Sequence, residues 1–112
     1  MPKILEVDRW VRSGPPLPVL EAHPEVSFAE LDPSCVVPGK LTAEGRSARR
    51  AALARAGLDA PAYHPGEGYA ADDLLDACAV AWTARRYADG AALSLPDPPD
   101  TFSDSLPAAI WV

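Results

Sequence analysis

Three carboxylates crowd one stretch of the chain, Asp72-Asp73-Leu74-Leu75-Asp76-Ala77. On a helix, Asp73 and Asp76, three apart, share a side, as do Asp72 and Asp76, four apart. Like charges at that spacing destabilise a helix, and a divalent cation removes the cost; Mg²⁺ is held by a few carboxylates together with waters and substrate phosphates. The same residues also suit a helix start without metal: Asp72 as cap, Asp73 at the positive end of the dipole, Asp76 solvated. A second group is Glu21-Ala22-His23-Pro24-Glu25. If residues 17–22 form a buried strand, Glu21 stands near its carboxyl end, where open α/β sheets place ligands. A carboxylate there needs a cation or hydrogen bonds. His23 is a metal ligand, a base or a cap for the helix that Pro24 opens, and Glu25 suits that helix's dipole. Lys40, after Gly39, and the Arg46, Arg49 and Arg50 face of the next helix either meet phosphate or form a solvated charged surface. Glycine-rich dinucleotide fingerprints, phosphate-binding Gly-Lys-Ser/Thr loops and Gly-x-Ser-x-Gly elbows are absent from the sequence.

The elements that must carry these residues are short. Ile4, Val7 and Val11 follow helical spacing over residues 1–13, and Gly14-Pro15-Pro16 stops the run. Residues 17–22 read as a buried strand and 24–31 as a short helix. Residues 32–41 read as loop, and Thr42 caps a helix ending at Gly57. Residues 58–69 read as a connector or an active-site flap. The longest helix is predicted over 72–89, with Leu75, Cys78, Ala79 and Trp82 on one stripe and Gly90 as its stop. Residues 91–109 read as loop, and 109–112 as a short terminal strand. The strands have no evident partner, and a lone strand cannot satisfy its backbone hydrogen bonds. The pattern predicts part of an α/β domain, or a unit that completes its sheet through a partner.

With 112 residues, the chain suffices for one modest core. Ten basic against sixteen acidic residues give a net charge of −6, which argues against broad electrostatic binding of nucleic acid. It leaves room for a metal-dependent site, where bound cations reverse the local charge. Cys35 and Cys78 lack metal-ligand spacing and make no disulfide framework. No apolar run is long enough for a membrane span, and MPKILEVDRW has no secretory layout; a cytoplasmic location is expected.

In order along the chain stand Glu21-Ala-His-Pro-Glu25-Val-Ser-Phe28, then Lys40 and Gly45 with following arginines, then Asp72-Asp73-Leu-Leu-Asp76-Ala77, then Ala81-Trp82-Thr83-Ala84-Arg85, and Ile110-Trp111-Val112. Over residues 4–112 this order resembles the C-terminal half of domain-of-unknown-function family 429, whose members are described as predicted nucleases of the RNase H-like fold. The stretch Asp73-Leu-Leu-Asp76-Ala-Cys-Ala-Val-Ala is also similar to the last acidic motif of RuvC-type junction resolvases. The resemblance implies one incomplete RNase H-like α/β domain, helix-rich, with three to four helices and one or two short strands. It implies Mg²⁺ or Mn²⁺ bound by Glu21, Asp73 and Asp76, which would also be catalytic, with Asp72 as a further or outer ligand. His23, Lys40 and Arg46 would contact substrate. The fold resembled begins with a strand carrying an essential aspartate, and nothing here supplies it. The half is therefore expected to be inactive alone and to pair with a complementing N-terminal half or with itself. Three readings stand: a metal-dependent phosphodiesterase acting on nucleic acid, a non-catalytic interaction module, and a hydrolase of nucleotides or small phosphates, to which the net acidity is better suited.

Overall fold

The computed structural model describes residues 2–101 and 107–112. Four α-helices and a three-stranded sheet alternate as α1 (Pro2–Arg12), β1 (Glu21–Ala22), α2 (Pro24–Leu31), a 3₁₀ turn (Pro33–Val36), α3 (Ala43–Arg55), α4 (Ala71–Ala88), β2 (Ser94–Thr101) and β3 (Pro107–Trp111). The chain is thus mixed α/β and helix-rich, the class that its sequence predicts.

The helices lie where periodicity and stop signals put them. Thr42 caps α3, its hydroxyl accepting from the Gly45 amide. Gly57 (φ 86°) and Gly90 (φ 75°) take up the left-handed conformation that follows a helix end. The core is the meeting of α2, α3, α4 and the 3₁₀ turn: Phe28, Cys35, Ala52, Leu53, Leu75, Cys78 and Ala79 are buried together. Ser27 on α2 and Thr83 on α4, both buried, satisfy each other through a hydroxyl–hydroxyl hydrogen bond of 2.7 Å.

The strands depart from the sequence reading in three ways. The buried strand expected over 17–22 is reduced to Glu21–Ala22, and Leu17 is 71% exposed. Pro15, Pro16 and Pro18 remove the amides that a longer ladder would use. The loop expected over 91–109 instead contains β2 and the start of β3, its remaining residues 102–106 lying outside those described. Finally, β1 does find a partner within the chain. The sheet order is β1-β3-β2, with β3 parallel to β1 (Glu21 opposite Ile110) and antiparallel to β2 (Ser94 opposite Trp111). The prolines of β2 are accommodated by an irregularity between Leu95 and Asp100, where the ladder is interrupted. The sheet meets the helices through Trp111, whose ring packs edge-on against Tyr87 of α4 at 5.1 Å.

Candidate functional site

The amino end of α4 and the loop before α3 bring together part of the expected constellation. Lys40 Nζ lies 3.0 Å from Asp76 Oδ2 and 3.6 Å from Asp72 Oδ2. The two aspartates stand one turn apart on α4, so a single ammonium spans both. The hydrogen bond to Asp76 is the chief cause that raises the Lys40 pKa above its ordinary value; the charges of Asp76, Asp72 and Glu25 add to it against partial burial.

Asp73 does something else. Its Oδ2 accepts from the Ala70 amide at 2.9 Å, satisfying one of the amides that a helix start leaves open. Ala70 has no side-chain acceptor to reciprocate, so half a capping box closes α4. The cap expected of Asp72 is therefore made by Asp73, while Asp72 faces Lys40. Beside this start is an open cleft of about 270 Å³ lined by Tyr69, Asp73, Leu74 and Ala77.

Glu25 does more than face a helix dipole. Its carboxylate receives both arms of the Arg49 guanidinium, Nε to Oε1 at 3.2 Å and Nη2 to Oε2 at 2.9 Å. Arg49 is 2% exposed, which corrects its reading as part of a solvated arginine face. Its Nη1 donates to the carbonyls of Pro38 and Gly45, both at 3.0 Å. That face is engaged elsewhere too: Arg46 donates to the Leu41 carbonyl at 2.7 Å and Arg50 to that of Ala60 at 2.8 Å. Arg49 and Arg46 thus grip the 38–41 loop from either side of Lys40. Thr42 completes the hold, its hydroxyl donating to the Gly39 carbonyl at 2.6 Å. Gly45 permits it, because a Cβ there would overlap that same carbonyl. Thr42, Gly45 and Arg49 are positioning residues: the sequence singles out each of them, Thr42 as a cap, Gly45 within the family pattern and Arg49 on an arginine face, but not this joint hold on the loop. A glycine in the first turn of a helix, four before an arginine, was the available signal.

The remaining expected residues stand elsewhere. Glu21 is exposed on β1, and His23 is exposed at the N-cap of α2 without a side-chain capping bond. Among the described residues, no group of three or more His, Cys, Asp or Glu side chains is arranged to hold a metal ion. Asp73 is committed to the Ala70 amide, and Asp72 and Asp76 already share a cation, so these residues as placed do not form the expected ligand set of Glu21, Asp73 and Asp76. What the cluster offers is three carboxylates, Glu25, Asp72 and Asp76, against Lys40 and Arg49, a locally negative site with one partly exposed ammonium. No helix among the described residues is long and apolar enough to cross a membrane.

A family model described as "Protein of unknown function (DUF429)" matches residues 1–101. None of the curated proteins matches the chain, and none of the solved structures does.

Proposed function

The chain belongs to the DUF429 family, and on that premise we propose that it carries the helix-borne part of an RNase H-like, metal-dependent phosphodiesterase site. The observation that carries this reading is the single ammonium of Lys40 shared between Asp72 and Asp76, 3.6 and 3.0 Å away. Two carboxylates one turn apart repel each other, a cation between them relieves that repulsion, and Lys40 serves as one. Mg²⁺ or Mn²⁺ would take that place only if Lys40 turned outward and further carboxylate ligands arrived, with Glu21 and a freed Asp73 as candidates. Lys40, turned outward, would then meet a substrate phosphate, and His23 and Arg46 are further candidates for that contact. The substrate would be nucleic acid or a nucleotide, with a complementing N-terminal half as a candidate partner.

Calorimetric titration with Mn²⁺ tests the reading. The native chain is expected to bind weakly, Lys40→Gln at least about tenfold more tightly because the competing charge is gone, and Lys40→Gln/Asp76→Asn not at all. Equal, negligible binding by folded native and Lys40→Gln chains would overturn it. That no three His, Cys, Asp or Glu side chains among the described residues are arranged to hold a metal ion favours a second reading, a non-catalytic interaction module. That module would bind no metal in any of these variants.

A further inference from the structure

The loop before α4 ends in an aromatic ring that the Lys40 cluster does not use. Tyr69 is 38% exposed, yet it is held. The half-buried Tyr63 donates its hydroxyl to the Tyr69 carbonyl at 3.2 Å, and the two rings meet edge-on at 5.6 Å. An edge-on contact covers at most one face of a ring, so Tyr69 keeps a face for another partner. Tyr69 walls the open cleft of about 270 Å³ whose other residues, Asp73, Leu74 and Ala77, come from α4. Leu74 and Ala77 make its floor apolar, and Asp73 is the one charged group lining it. Asp73 Oδ2 accepts from the Ala70 amide, while its Oδ1 has no partner among the described residues.

An aromatic face, an apolar floor and a carboxylate oxygen together select an occupant. An aliphatic group would cover the carboxylate without pairing it, and an anion would be repelled by it. A planar aromatic ring bearing N–H groups suits all three. Nucleobases are such rings, and they stack on exposed aromatic side chains. A carboxylate accepts only, through two oxygens. Guanine offers it two adjacent donors, N1–H and the 2-amino group. Adenine and cytosine set a ring acceptor beside their amine, and uracil and thymine flank their one N–H with carbonyls. Asp73 stands three residues from Asp76, about 4.5 Å along the helix axis, which sets the cleft beside the Lys40, Asp72 and Asp76 cluster.

We propose that this cleft is a nucleobase subsite selective for guanine, the base stacking on Tyr69 over Leu74 and Ala77 and donating N1–H and its 2-amino group to Asp73. The inference rests on reading the neighbouring carboxylates as a phosphodiesterase site, for which it names a guanine-containing substrate. With no metal present Asp73 keeps its bond to Ala70 and accepts from the base through Oδ1 and the second lone pair of Oδ2.

Titration of the ¹⁵N-labelled chain with guanosine and with adenosine, without divalent metal, tests the proposal by two-dimensional NMR. Guanosine is expected to shift the amide signals of Tyr69, Asp73, Leu74 and Ala77, and to bind at least about fivefold more tightly than adenosine. Tyr69→Ala is expected to weaken both nucleosides at least about fivefold, because the stacking face is gone. Asp73→Asn keeps an oxygen for the Ala70 amide but turns a donor toward the base, so the preference for guanosine is expected to vanish. No shifts with the native chain would overturn the proposal, as would shifts confined to other residues. So would undiminished binding by a folded Tyr69→Ala chain, or a preference that survives Asp73→Asn. The native map decides the matter even if both variants fail to fold. Guanosine carries no phosphate, so the outcome is separable from that of the Mn²⁺ titration. Guanosine binding without Mn²⁺ binding by Lys40→Gln would sink the phosphodiesterase reading, and Mn²⁺ binding without guanosine would sink this subsite alone.

Discussion

At the residue scale, Lys40 is the hinge of the candidate site and has a pH signature. Its hydrogen bond to Asp76 raises its pKa in the folded state, so its contribution to stability is fully present below about pH 10, the unfolded value. That contribution is lost as pH rises through the raised folded value. The Tm gap between native chain and Lys40→Met should therefore be constant near neutrality and close in the alkaline range. The stability difference behind that gap should be small, below about 1 kcal/mol, because the Lys40 side chain is 37% exposed. The two cysteines give a second check. Burial pushes the thiol pKa of both Cys35 and Cys78 up, so neither supplies much thiolate at neutral pH. Ellman's reagent should modify the native chain at least about a hundredfold more slowly than the chain in denaturant, at a rate set by opening of the core.

At the element scale, the 38–41 loop depends on α3 and α2 more than on its own residues. Arg49→Met should destabilise by about 2 kcal/mol, since it frees two carbonyls and takes the partner from a Glu25 carboxylate that water still reaches; urea unfolding checks this. Arg49→Lys should recover little, because an ammonium cannot reproduce the two-armed contact. Mn²⁺ titration of that variant would show whether a loosened loop releases Lys40 from the aspartates. Helices were readable because one stripe and a stop residue define each: α4 spans Ala71–Ala88 against an expected 72–89. The carboxylates Asp72 and Asp76 and their partner Lys40 were also readable as candidates, but their joining was not. It depends on a loop docking onto Gly45, a contact between residues that no periodicity relates. Arg49 was misread because a helix face rich in arginine looks solvated until the carbonyls that it meets are known. The strands were the least legible part. Ser94–Thr101 contains three prolines and reads as loop; it is a strand because β3 lies against its two ends and tolerates the interrupted middle.

At the scale of the whole molecule, stability is concentrated in the meeting of α2, α3 and α4, while α1 exposes Leu5, Val7 and Trp10, each by half or more. Native-state hydrogen exchange should find the amides around Leu75–Thr83 slowest and those of α1 exchanging near the rate of an unfolded chain, several orders of magnitude faster. Equal protection of α1 and α4 would show that α1 is covered in solution. The sheet adds a constraint of timing. Its central strand, β3, is also its last in sequence, and it is the strand that holds β1 and β2 together. On a ribosome, which makes the chain from its amino end, the helical core has all its parts once α4 has emerged, whereas β1 waits without a neighbour until residues 107–111 follow. During that interval the nascent chain presents a strand that its own later residues must claim before another chain does. Slow translation past α4 would lengthen the interval, and codon choice over residues 89–111 therefore bears on how much of the protein reaches its native state.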